Sequence, residues 1–214
     1  MNVAEARELL TGAQTARDRQ ISVGPSEIGG CRRRTWHRMQ GTEVTNPDTL
    51  RMAAWMGTAI HKQIEKEITV KDPFGERYLL ELEVEHNGLM GHVDCYDKEN
   101  YEVIDWKTTT KKNASRFPSG QQRTQVQVYG YLLSQNGYRV DNVNLVAIMR
   151  DGNELDVKVH SEPYLETLAV AGLEWLRNVR ECTEPPEPTE NVRFCRDYCP
   201  FFDSTGSIGC VGMK

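Results

Sequence analysis

Residues 78–110 constrain the fold of this chain more than any other stretch. YLLELEVEH (78–86) reads as a strand that ends at Asn87-Gly88, and LMGHVDCY (89–96) follows as a second strand. Asn-Gly readily adopts the positive-φ turn that joins two antiparallel strands through two residues. DKEN (97–100) reads as another turn and YEVIDWKTT (101–109) as a third strand, so the middle of the chain is a β-meander. Helical signals flank it. Residues 3–18 read as a helix, and Ser26 is placed to cap a second one running through Cys31 to about Met39. Met52, Met56, Ile60, Ile64 and Ile68 recur every four residues in a helix expected over 48–70. Beyond the meander, a helix is expected over 119–136, strands near 143–150 and 154–160, and a long helix over 163–181. TEPPEPTE (183–190) cannot continue a helix and reads as a linker. This order of elements gives an α/β class, a mixed central sheet flanked by helices.

A chain of 214 residues can bury a core without metal or disulfide staples, and is expected to form a single domain over 1–214. No apolar run is long enough to cross a bilayer, and the first twenty residues lack a signal peptide's apolar core, so a cytoplasmic location is expected. The net charge of −5 argues against a passive DNA-coating protein, which would carry a basic surface. It is compatible with a site built from metal-holding carboxylates. Basic residues cluster locally instead, at Arg32, Arg33, Arg34 and Arg38, and again at Lys111, Lys112, Arg116 and Arg123.

Strand geometry brings the chemistry of the meander together. With a turn at 97–100, Tyr96 lies opposite Tyr101 and Asp94 opposite Val103. Asp105 and Lys107, two and four residues beyond Val103, then share a sheet face with Asp94. Two neighbouring carboxylates repel unless a cation lies between them, and hard Mg²⁺ or Mn²⁺ prefers such oxygen ligands. A nearby lysine can orient an attacking water and favour its deprotonation. Together these groups suit phosphodiester hydrolysis.

GHVD (91–94) followed by IDWKTT (104–109) resembles the paired core motifs of the PD-(D/E)xK nucleases, in their RecB-like branch. Gln125 and Tyr129, in QVQVYGYLL, are similar to that branch's helical Gln-x-x-x-Tyr motif, although Gln127 and Tyr131 share the spacing. His61, in MGTAIHKQIE, resembles its upstream helical histidine. The resemblance implies a catalytic core over 50–160, with His61, Asp94, Asp105 and the Trp106 carbonyl holding Mg²⁺ or Mn²⁺. It also implies that Lys107 activates water while Gln125 and Tyr129 support the lysine and contact DNA. Glu81 and His92 are read as structural.

Six cysteines in a reducing compartment do not suggest disulfides. Cys195, Cys199 and Cys210 are grouped near the end, one thiolate short of a closed zinc site or a four-iron cluster, and Cys31 is the candidate fourth. This layout resembles the iron–sulfur nucleases of the Cas-four and AddB groups, and phage-encoded Cas-four-like exonucleases are similar in size. That likeness implies a [4Fe-4S] subdomain built from 20–40 and 183–214, with zinc as the competing occupant. It also implies an exonuclease of a bacterial or phage-infected cell, acting on single-stranded DNA or DNA ends in recombination, repair or CRISPR-adaptation-like processing. A non-catalytic DNA-binding module and a structure-specific endonuclease are the alternatives, and homo-oligomerisation stays open. Arg32, Arg33 and Arg34 are expected to meet the DNA backbone, with Trp36 stacking on a base. Cys95 and Cys182 are read as small buried hydrophobes.

Overall fold

The structure, a computed structural model, describes residues 2, 5, 23–46, 52–153, 156–189 and 192–213. All but Glu5 of the helix expected over 3–18 lies outside the described residues. Five strands form one mixed sheet in the order β1-β2-β3-β4-β5: Tyr78–His86, Leu89–Asp97, Glu102–Thr109, Asn142–Met149 and Val157–Pro163. Only β3 and β4 run parallel, joined by the crossover helix that such a connection needs. The helices are α1 (Arg32–Met39), α2 (Met52–Lys71), α3 (Gly120–Gln135), α4 (Glu166–Arg180) and α5 (Val192–Tyr198).

The crossover helix α3 starts at a capping box: the Ser119 hydroxyl accepts the Gln122 N–H, and the Gln122 side chain accepts the Ser119 N–H. Residues 125–130 of α3 are all buried, because one side lies on the sheet and the other packs against α4. Val126, Val128, Leu132 and Leu133 meet Val93, Val103, Val143 and Leu145 of the strands, forming the main core. No described helix is long and apolar enough to cross a membrane.

Two expectations are corrected, and one further element is found. Ser26 does not cap α1; Pro25–Glu27 form a 3-10 turn, Gly29 at φ +80° breaks the path, and Cys31 precedes the helix. The residues around Cys195 and Cys199, which have no clear periodicity in the sequence, form the short helix α5 and its end. The β2–β3 register also differs: Tyr96 pairs with Val103 and Asp97 with Glu102, so the turn is Lys98–Tyr101. Asp97 explains the shift. It is buried, receives two bonds from Arg77 at 2.7 and 3.1 Å, and accepts the N–H groups of Glu99 and Asn100. It therefore anchors the turn from the last strand position instead of lying within it. A shift of two residues leaves every side chain on its expected face, whereas a shift of one would have reversed them all.

Candidate active site

Strands β2 and β3 separate like the arms of a fork. Their paired ladder ends at Cys95–Ile104, while β2 continues pairing with β1 and β3 with β4. Asp94 and Asp105 are the next residues on either arm. The fork leaves backbone groups without a ladder partner, and one is taken up by a side chain: the Trp106 N–H donates to Asp94 Oδ2 at 2.8 Å. Gly91 of the GHVD segment serves the same region, since a Cβ there would lie 2.8 Å from the Tyr129 ring and 3.0 Å from Pro25. Only glycine lets α3 and the 3-10 turn come this close to β2.

Asp105 is 1% exposed. Lys107 Nζ forms an ion pair 2.6 Å from its Oδ2, but outside hydrogen-bond angles, and that oxygen has no hydrogen-bond donor. Gln125 Nε2 donates to Asp105 Oδ1 at 3.2 Å and lies 3.4 Å from the Tyr129 hydroxyl. From α2, His61 Nδ1 lies 3.6 Å from Asp94 Oδ2. Burial and then the adjacent Asp105 carboxylate push the Asp94 carboxyl well above the usual range, against the pull of Lys107 and the Trp106 N–H. The direction of that shift is what burial first, and a neighbouring carboxylate second, do to a carboxyl group.

The expected site residues fall into two groups. His61, Asp94, Asp105, Lys107, Gln125 and Tyr129 converge at the fork. Gln125 and Tyr129 are both buried, and the glutamine holds Asp105 instead of the lysine. The alternative Gln127 is committed elsewhere, to Glu162, the Pro163 carbonyl and the Leu165 N–H. Arg32, Arg33, Arg34 and Trp36 lie together on α1, yet two of them face the linker: Arg33 bonds the Pro185 and Pro186 carbonyls, and Trp36 Nε1 donates to the Cys182 carbonyl at 2.9 Å. In the second basic stretch, Lys111 pairs with Asp156 and Arg123 with Glu162. Arg150, at the end of β4, was not anticipated; its Nη1 lies 3.3 Å from Thr108 Oγ1, one residue beyond Lys107. Its place beside β3 depends on the α3 crossover, and no local pattern marks it.

The cysteines also converge in part. Cys31, Cys195, Cys199 and Cys210 are each 4–6% exposed, and no disulfide is formed among the described residues. Cys199 lies within charge range of Cys31, Cys210 and Arg34. Burial alone would raise the Cys31 thiol, but hydrogen bonds from Thr189 and from the Arg33 and Arg34 N–H groups at the start of α1 hold it below its ordinary value. The Gly212 N–H donates to Cys210 Sγ at 3.3 Å. The tail is also tied to the N-terminal region: the Phe201 ring stacks on His37, and Asn46 bonds the carbonyls of Arg196, Cys199 and Pro200. Cys95 is fully buried and its thiol is pushed up to about 12 by that burial. Cys182 is only half-buried and donates to the Asn178 carbonyl, so it is not the buried hydrophobe expected.

Among the described residues, no three His, Cys, Asp or Glu side chains are gathered closely enough to hold a metal ion as they stand. The donor chemistry fits metals at both places nonetheless. At the fork, a buried carboxylate oxygen lacks a hydrogen-bond donor beside a second carboxylate. In the tail, Cys31 and Cys210 receive N–H donors, as sulfur ligands do, while burial pushes the Cys199 thiol up.

The model of the PD-(D/E)XK nuclease superfamily matches residues 32–204. Among solved structures, the chain resembles SSO0001 at 18% identity and a TM-score of 0.57, over 94% of this chain and 95% of that one. It also resembles the alkaline exonuclease LHK-Exo from Laribacter hongkongensis, at 11% identity and a TM-score of 0.52, over 81% and 90% of the two chains. LHK-Exo in complex with dAMP gives 12% identity and 0.53, over 75% and 86%. No curated protein matches.

Proposed function

Because the chain belongs to the PD-(D/E)XK nuclease superfamily, we propose that it is a metal-dependent DNA exonuclease acting on single strands or free ends. One observation carries this reading: at the strand fork, Asp105 Oδ2 is buried without a hydrogen-bond donor, with Asp94 adjacent and Lys107 Nζ 2.6 Å away. Asp94, Asp105, His61 and the Trp106 carbonyl hold a Mg²⁺ or Mn²⁺ ion. When bound, such an ion neutralises charge on the phosphate and acidifies water. Lys107 orients the attacking water and stabilises its deprotonated form. Gln125 fixes Asp105 Oδ1, so that Oδ2 keeps one direction, and Tyr129 backs Gln125 from the next helical turn. The choice of exonuclease draws on the likeness in fold to the Laribacter alkaline exonuclease. Linear and closed-circular single strands of equal length separate the activities. Linear DNA should be degraded in Mn²⁺ while circles stay intact, and equal cleavage of the circles would make the protein an endonuclease.

Cys31, Cys195, Cys199 and Cys210 hold a [4Fe-4S] cluster that fixes the tail against α1, in a subdomain formed by residues 20–40 and 183–214. The N–H donors at Cys31 and Cys210 and the burial of all four thiols support this assignment. Of the α1 arginines, exposed Arg32 and half-buried Arg34 meet the DNA backbone, while Arg33 and Trp36 hold the linker. Replacing Arg32 and Arg34 by Gln should weaken single-strand binding and reduce the log–log salt slope by roughly 1.4, at about 0.7 per phosphate contact. A salt titration of affinity reads this directly, and an unchanged slope would place the strand elsewhere.

A further inference from the structure

Strand β1 carries a glutamate where its backbone favours glycine. Glu81 sits at φ +46°, between the pairs Leu80–Cys95 and Leu82–Val93, and so lies opposite Asp94 across the hairpin. Left-handed backbone is unfavourable for a residue with a long side chain, and glycine or asparagine usually fills it. The left-handed position lies beside the point where β2 parts from β3, so a turn of the backbone there has a structural use. A bend alone would favour glycine. A retained side chain in strained backbone beside a reactive centre points to work done by that side chain.

The surroundings agree. Glu81 lies within charge range of Asp94 and of Tyr129, with Glu65 of α2 and His92 of β2 also near it. His92 is itself paired with Glu83 at 3.2 Å. Independently, Asp105 Oδ2, in a side chain 2% exposed, accepts no hydrogen bond, and Lys107 Nζ at 2.6 Å is its one close cationic neighbour among the described residues. One lysine does not balance three neighbouring carboxylates, and the exposed Glu81 side chain has the freedom to turn inward when a divalent cation arrives.

We propose that Glu81 is a third carboxylate of the metal site, engaging the divalent ion held by Asp94 and Asp105 from the solvent side of the fork. The proposal rests on reading that acidic pair as the metal site. The test is Mn²⁺ binding, by calorimetry and electron paramagnetic resonance, to the full chain and its Glu81→Gln, Glu81→Gly and Asp105→Ala variants, with melting temperatures alongside. Glu81→Gln should bind Mn²⁺ at least about tenfold more weakly, since losing even an outer-sphere partner typically costs roughly 10–100-fold. Glu81→Gly should weaken binding equally while melting no lower than wild type, because glycine accepts the bend. If both Glu81 variants bind within about twofold of wild type while Asp105→Ala is weakened, Glu81 only shapes the hairpin and the proposal is overturned. Wild-type affinity in Asp105→Ala as well would overturn the metal site itself.

Discussion

Replacing any one of Cys31, Cys195, Cys199 or Cys210 by alanine should strip the protein of iron and loosen its tail. Anaerobically purified wild type should be brown, with about four irons per chain, as a four-thiolate cluster requires. A cluster joining Cys31 to the tail closes a loop of about 160 residues, and restricting the unfolded chain on that scale contributes on the order of 5 kcal/mol. The variants should therefore melt far below wild type and lose the tail to proteolysis first. Cys95→Ala and Cys182→Ala should keep the iron, since Cys95 is packed in the core and Cys182 sits at the end of α4. Iron and zinc analysis beside thermal denaturation checks this, and one zinc per chain without iron would contradict the cluster while sparing the nuclease. The Asn46 bonds and the His37–Phe201 stack do not depend on metal, so partial docking of the tail should survive in the variants.

The second large effect separates two residues that touch. Asp105→Ala should abolish measurable cleavage and Lys107→Ala should nearly do so, for different reasons. Asp105 supplies a ligand oxygen, so its loss should remove both metal binding and turnover. Lys107 acts on the water, so its loss should leave Mn²⁺ binding nearly intact and lower the single-turnover rate by about 10²–10⁴, the range for a positioned proton-transfer group. Calorimetry with Mn²⁺ beside single-turnover cleavage distinguishes them. Near-wild-type turnover in either variant at saturating metal would show that the chemistry lies elsewhere. Gln125 follows the same logic at smaller scale, because it acts through Asp105 Oδ1.

Local signals exposed the β-hairpin and the third strand, because Asn87-Gly88 and strand alternation each act over a few residues, and the helix expected over 119–136 matches α3. The shared face of Asp94 and Asp105 was legible for the same reason: side-chain direction depends on strand parity, and a two-residue error in the turn preserves it. The register itself was not legible. It is set by Asp97 with Arg77, twenty residues away, a pairing that no local pattern marks. The fork at Cys95–Ile104 was also hidden, since a sequence shows strands but not where two of them part. Arg33 and Trp36 looked like surface residues available to DNA because their partners, Pro185, Pro186 and Cys182, lie about 150 positions further on. Glu81 reads as structural in the sequence, one of three alternating glutamates (81, 83 and 85) in β1. Its positive φ exists only in the folded hairpin.

The most direct test of the acidic fork as a hydrolytic metal site is release of nucleotides from end-labelled linear single-stranded DNA while Mn²⁺ is titrated into metal-free fork sites. Expected is no release before addition, then a saturable rise in wild type at the Mn²⁺ concentrations that calorimetry gives for binding, and a flat line in Asp105→Ala. Cleavage that persists in excess chelator, or that rises equally in wild type and Asp105→Ala, would contradict it.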